Sequence, residues 1–140
     1  MVIIFHLTVK YSQVNKIKTM TRAISKSNRV SYEKVRQISD SYDLDRLLVR
    51  HILGISESTQ FRYEKKNPVL NPNLSDRWQR FERILQQTEE LFEDKNTAQE
   101  WLSMPKTSLE GKTPLEILET DAGVIQVREM LTRAAYGIFS

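Results

Sequence analysis

Between Ser75 and Glu93 the residues Trp78, Phe81, Leu85, Thr88 and Phe92 recur at steps of three and four, and Ile84 and Leu91 widen the stripe. That period belongs to an α-helix with one buried face. A stripe this wide asks for covering surface on more than one side. Short helices downstream can supply one side. A second copy of the chain can supply the other, which makes Trp78, Phe81 and Leu85 candidate dimer-interface residues.

The same reading applied elsewhere predicts only helices. Ile17, Met20, Ala23 and Ile24 share one face of a basic amphipathic helix over residues 15–26. Ser31 can cap a helix running to Asp40, with Val35 and Ile38 inward. Asp43 can cap the next, with Leu44, Leu47, Leu48 and Ile52 inward and Gly54 ending it. Ser56 can cap a further helix through Lys65, with Phe61 as its core residue. The run Asn67-Pro68-Val69-Leu70-Asn71-Pro72-Asn73 cannot continue a helix and reads as a linker.

After the long helix, Trp101 and Leu102 close a short helix ahead of Pro105. Thr113-Pro114-Leu115-Glu116 then writes a helix start in full: a threonine N-cap, proline at the first helical position and glutamate three residues on to close a capping box. Thr120 or Asp121 caps the last helix, where Val124, Val127, Leu131, Ala134 and Ala135 form an apolar stripe. Residues 1–10, rich in Val, Ile and Phe, read as a strand without a partner or as an extension ahead of a start at Met20. The fold class is all-α. The expected organisation is an unassigned extension at 1–14, a helix-turn-helix domain at 15–70, a connecting and dimerisation helix at 71–95 and a small helical domain at 96–140.

Composition narrows the function. An apolar fraction of 39% over 140 residues suffices for one ordinary domain or two very small ones. No apolar run reaches the roughly 18–20 residues of a membrane span, and the start lacks the features of a signal peptide. With no cysteine, disulfides and thiolate chemistry are excluded, and a reducing cytoplasm is the expected compartment. The net charge of +3 hides an asymmetry: residues 1–70 hold thirteen Lys or Arg against six Asp or Glu, whereas residues 71–140 hold eight against twelve. A basic front half suits a polyanion.

Residues 44–66 within that half show the layout of a helix-turn-helix: two short helices, a glycine turn at Gly54, Ile55 buried in the turn and Ser56 as cap. In such a motif the second helix lies in the major groove. Glu57, Ser58, Gln60 and Tyr63 would face base edges, glutamine suiting adenine and glutamate accepting from cytosine. Ser56, Thr59, Arg62, Lys65 and Lys66 fall at the cap and on the flanks, where phosphates pass. Two packed helices with a glycine turn also imitate this layout without binding DNA.

Catalytic signals are missing. His6 and His51 stand alone, His51 reading as a partly buried structural residue, and no nucleophile elbow or phosphate-binding glycine loop occurs. The pairs Glu89-Glu90 and Glu93-Asp94 belong to a solvated helix side and its end. The chain is expected to be no enzyme, to need no cofactor or metal and to take no small-molecule substrate. The last residues, Ala134-Ala135-Tyr136-Gly137-Ile138-Phe139-Ser140, are apolar and aromatic around a glycine. They either fold back onto the core or dock into a partner.

The ordered run Ala98, Trp101-Leu102, Pro105, Leu109, Gly111, Thr113-Pro114-Leu115, Leu118, Thr120, Gly123, Val127, Leu131, Arg133 and Tyr136-Gly137 resembles the toxin-binding domain of Xre/MbcA/ParS-type antitoxins. Leu53-Gly54-Ile55-Ser56, with Thr59 and Arg62, is similar to the Xre-type helix-turn-helix that precedes it in that family, although Glu57, Ser58 and Gln60 depart from the basic or aliphatic residues usual there. The resemblance implies a RES-domain, NAD-depleting toxin as partner, operator DNA as a second ligand, autorepression and dimers built through helices. It also makes Arg133, Tyr136, Gly137, Ile138, Phe139 and Ser140 the candidate toxin-pocket plug. The competing reading is a helix-turn-helix regulator whose C-terminal unit only dimerises.

Overall fold

The computed structural model describes residues 28–137. The predicted helix over 15–26, the strand-like start and residues Ile138, Phe139 and Ser140 lie outside the described residues. Seven α-helices follow one another: α1 Tyr32–Ser41, α2 Arg46–Leu53, α3 Glu57–Lys66, α4 Pro72–Phe92, α5 Lys95–Ser103, α6 Pro114–Ile117 and α7 Asp121–Ala135, with a 3-10 turn at Thr107–Leu109 between α5 and α6. Among the described residues no strand forms, and the chain is all-α.

Each helix begins where a side chain can satisfy the free N–H groups of its first turn. Ser31, Ser56, Asn71, Asp94 and Thr120 all accept from the residue three positions on. The cap of α2 is Asp45, whose carboxylate accepts from the N–H groups of Leu47 and Leu48; Asp43, expected there, instead sits in the turn at φ 52°. Helix α4 starts earlier than the periodicity suggested because Asn71 caps it and Pro72 occupies its first turn. At α6 the capping box closes as read: the N–H of Glu116 donates to Thr113 Oγ1 at 3.1 Å, and the N–H of Thr113 donates to the Glu116 carboxylate at 2.8 Å.

Helix α4 is the hub. It packs against α5 and α7 on one side and against α2 on the other, while α6 bridges α5 and α7. One continuous apolar core runs from Val30 through Val35, Ile52 and Leu53 into Trp78, Phe81 and Leu85, and on to Leu102, Val127 and Leu131. This corrects the expectation of a dimer interface at the centre of the α4 stripe. Trp78, Phe81 and Leu85 are 0%, 1% and 1% exposed within a single chain and offer no surface to a second copy. The side assigned to a partner is filled by residues 30–70 folding back on α4.

The segment read as a linker does that folding. The Tyr32 N–H donates to Pro68 O at 2.9 Å and the Leu70 N–H to Val30 O at 2.8 Å, around a single antiparallel bridge between Ser31 and Val69. Ser75 Oγ, fully inside, accepts the Val30 N–H at 3.0 Å and donates to Leu70 O at 3.3 Å. Leu70 itself is buried. Polar ties extend the contact: Lys34 meets Glu82 at 3.1 Å, the Tyr42 hydroxyl donates to Glu89 and the Lys95 ammonium to Ser41. His51 is exposed, not partly buried, and faces the Glu119 carboxylate at 3.1 Å.

Tyr42 yields a testable consequence. Burial first, and then its hydrogen bond to Glu89, push the hydroxyl above its ordinary value of 10.0. The folded state therefore holds that proton more tightly than the unfolded chain, and its contribution is present below about pH 10 and lost as pH rises further. Tyr42→Phe is expected to cost about 1 kcal/mol at neutral pH. It should also flatten the alkaline decline in urea-midpoint stability measured from pH 8 to 11.

Candidate functional site

Helices α2 and α3 meet at the turn through Gly54, which takes φ 67° as the C-cap of α2 and lets the chain reverse into Ser56. Ser56 Oγ accepts the Thr59 N–H at 3.2 Å and donates to Thr59 Oγ1 at 2.9 Å, so both side chains are engaged in capping. This arrangement places the first turn of α3 outward. Glu57 and Ser58 are exposed, as are Arg62, Lys65 and Lys66 along the same flank. Tyr63 is half-buried, its ring edge-on to Tyr32 at 5.8 Å between centroids, with the Arg62 guanidinium carbon 5.7 Å from the Tyr63 ring centroid.

Two residues of α3 are exchanged relative to the sequence expectation. Gln60, expected at base edges, is 1% exposed and donates through Nε2 to Arg46 O at 2.8 Å. Phe61, expected in the core, is 54% exposed on the outer face, with the Lys65 ammonium 4.4 Å from its ring centroid. The inner side of α3 closes on α2 by polar contacts. Arg46 grips the Glu64 carboxylate with Nε and Nη2, the shortest contact being 2.7 Å, and reaches Glu57 at 3.9 Å. Arg50 also faces Glu57, at 3.7 Å. Both arginines of α2 are thereby drawn to carboxylates, and the outer cations of the motif are Arg62, Lys65 and Lys66. Leu47, expected inward, lies exposed beside Arg46.

Charge is distributed less evenly than the half-chain count suggested. Residues 1–27 carry five Lys or Arg and no acid, whereas residues 28–70 carry eight against six. The described helix-turn-helix is close to charge-balanced except on the outer flank of α3.

Helices α5 and α7 pack along α4, with α6 between them, and the start of α7 reaches the first half of α4, where Arg80 meets Asp121 at 3.0 Å. Gly123 in the first turn of α7 sits directly on the end of α6, where a Cβ would lie 1.6 Å from the Ile117 carbonyl oxygen. Val124, Val127 and Leu131 face α4 as the stripe predicted, leaving Ile125, Arg133 and Tyr136 outward. Tyr136 is 79% exposed, and Gly137 follows it at φ 72°. An open groove of about 430 Å³ runs between the C-terminal halves of α4 and α7, lined by Gln87, Leu91, Arg128, Leu131 and Thr132 among others. Phe92 and Trp101 pack at 5.8 Å between centroids with their rings tilted by 41°, and the Lys106 ammonium lies 4.8 Å from the Trp101 ring centroid; burial pulls the Lys106 amine below its ordinary value. Among the described residues no three His, Asp or Glu side chains converge as metal ligands, and no helix is long and apolar enough to cross a membrane.

Residues 87–137 match the family model of the antitoxin Xre/MbcA/ParS C-terminal toxin-binding domain, a span that takes in the end of α4 and all of α5, α6 and α7. Three curated relatives are each called antitoxin Xre. The protein from Pseudomonas putida is 40% identical over 76 residues, 54% of this chain and 47% of the relative. That from Yersinia enterocolitica is 32% identical over 88 residues, 62% of this chain and 60% of the relative. That from Photorhabdus laumondii is 34% identical over 93 residues, 66% of this chain and 63% of the relative. The chain thus spans about half to just under two thirds of the length of these relatives. Residues 87–137 thus form a helical unit similar to the C-terminal toxin-binding domain of the Xre/MbcA/ParS antitoxins, and the three relatives bear the name antitoxin Xre.

Proposed function

We propose that the chain is an antitoxin with two working faces. Its C-terminal unit covers the active site of a RES-domain, NAD-depleting toxin, and Arg133, Tyr136 and residues 137–140 reach into or over the pocket. Inhibition is steric occlusion and asks no chemistry of this chain. Its helix-turn-helix binds operator DNA in the cytoplasm and represses the operon, with α3 in the major groove, Ser58 facing base edges and Ser56, Thr59, Arg62, Lys65 and Lys66 along the phosphates. A homodimer would present two such helices to half-sites about one helical turn apart. Its contacts lie elsewhere than on Trp78, Phe81 and Leu85.

The observation that carries this reading is the match of residues 87–137 to a toxin-binding domain whose last helix leaves Tyr136 almost fully in solvent. An aromatic residue held outward at a helix end is the type of side chain that dominates binding when a partner's pocket desolvates it.

The test is co-expression with the product of the neighbouring gene and purification through this chain. A stoichiometric complex is expected, with NAD consumption by the partner appearing only when this chain is removed. Deleting residues 136–140 is expected to leave the melting temperature within a degree or two of the full chain while weakening neutralisation on the order of 30-fold, the loss of one or two aromatic anchors. A truncated chain that protects cells fully would rule out the plug. If no partner co-purifies while the chain alone shifts its promoter DNA, the protein is a plain repressor.

A further inference from the structure

Phe61 stands where the function just proposed gives it no role. A phenylalanine more than half exposed in the middle of a ten-residue helix is costly to keep in water. Here the neighbouring positions define its surroundings. Glu57 lies one turn earlier and is drawn back by Arg46 and Arg50. Lys65 lies one turn later and its ammonium rests on the ring. Ser58 and Arg62 flank it on the exposed side. Gln60, which carries the only side-chain amide in α3, points into the protein and is held by the carbonyl of Arg46. The middle of the outward face of α3 is therefore apolar and flanked by cations.

An apolar group lowered into the major groove meets one apolar feature of the bases, the C5-methyl of thymine. Adenine, guanine and cytosine present only donors and acceptors on that edge. A ring flanked by Arg62 and Lys65 suits the arrangement, because both cations can reach phosphates on either side while the ring lies between them. We infer that Phe61 is a specificity-determining residue that reads thymine methyl groups in the operator. This rests on the DNA-binding half of the proposed function and deepens it: the ligand class becomes a duplex with thymine at the centre of the half-site.

The experiment uses the full chain and the DNA upstream of its own gene, amplified once with thymidine and once with deoxyuridine in its place, which removes the methyl groups and keeps every hydrogen-bonding edge. The wild-type chain is expected to bind the uracil duplex roughly four-fold more weakly for each methyl contacted. Phe61→Ala should bind the thymine duplex with a comparable loss and be indifferent to the exchange, and Phe61→Leu should keep part of the methyl dependence. Three results would overturn the inference: a Phe61→Ala chain as sensitive to uracil as the wild type, a wild-type chain insensitive to it, or a Phe61→Ala chain whose defect is a change in oligomeric state. If the wild-type chain binds neither duplex at low salt, the DNA-binding reading itself fails and the inference falls with it, while toxin neutralisation is unaffected.

Discussion

Gly123→Ala is expected to destabilise the chain by about 3 kcal/mol, the upper end of what overpacking costs, and to lower the melting temperature by roughly 10 °C. Position 123 lies in the first turn of α7, where alanine would ordinarily be favoured over glycine by about 1 kcal/mol. Steric contact reverses that preference. The added Cβ would lie 1.6 Å from the Ile117 carbonyl oxygen and 2.6 Å from its carbon, and both atoms are backbone, so no rotamer change relieves the clash. Helix α7 must lift off the end of α6. The Gly123 N–H then leaves Thr120 Oγ1, now 3.0 Å away, and Leu118 and Val124 are uncovered together. The exposed neighbour gives the control: Ala122→Gly, at a surface position in the same turn, should cost about 1 kcal/mol or less through propensity alone. Thermal melts of the two variants separate the effects. A Gly123→Ala chain that melts at or above the wild-type temperature would show that α6 and α7 are not pressed together. Position 123 lies within the span that matches a toxin-binding domain, so under the proposed function the same variant is expected to weaken the toxin complex without touching α3.

The elements that were legible in the sequence are those fixed by local chemistry. The Thr113 capping box, the caps at Ser31 and Ser56, the glycine turn at Gly54 and the inward stripe of α7 depend on residues within four positions of one another. What sequence spacing could not resolve is which surface covers which. The α4 stripe asked for two partners, and nothing local says that Val30, Leu53 and Leu70 would supply the second from within the chain. The exchange of Gln60 and Phe61 has a similar cause. A reading by hydrophobic period puts the phenylalanine inside. The α2–α3 contact is instead made by the Gln60 amide and the Arg46–Glu64 pair, and polar contacts leave no apolar period to read. Ser75 is a further case, a small hydroxyl inside an apolar stripe whose reason is the Val30 N–H forty-five positions upstream. Of the candidate site, the outer cations of α3 followed from the sequence; the apolar centre of α3 did not, and the apolar tail read equally as docked or folded back, a choice that Tyr136, 79% exposed, makes only for itself.

Trp78→Ala is expected to cost about 3–5 kcal/mol, a large share of the stability of a chain this size. The indole lies in the first half of α4, the helix that packs against α2, α5 and α7, and its ring packs on Phe81 at 5.2 Å between centroids. Truncation opens a cavity in the one continuous core that runs from Val30 to Leu131, so the N-terminal and C-terminal parts should unfold together in a single transition at a lower urea midpoint. The experiment also decides between core and interface. A core residue shifts the midpoint equally at every protein concentration. An interface residue would leave the folded protomer intact and change only the concentration at which copies separate. Trp78→Phe sharpens the comparison, because the buried indole Nε1 has no hydrogen-bond partner among the described residues. Replacing it removes an unsatisfied donor along with the volume, and the two contributions have opposite sign. Trp78→Phe should therefore cost clearly less than half of Trp78→Ala. Equal losses for the two variants would mean that the indole N–H is satisfied in solution, by water reaching the hub of the core.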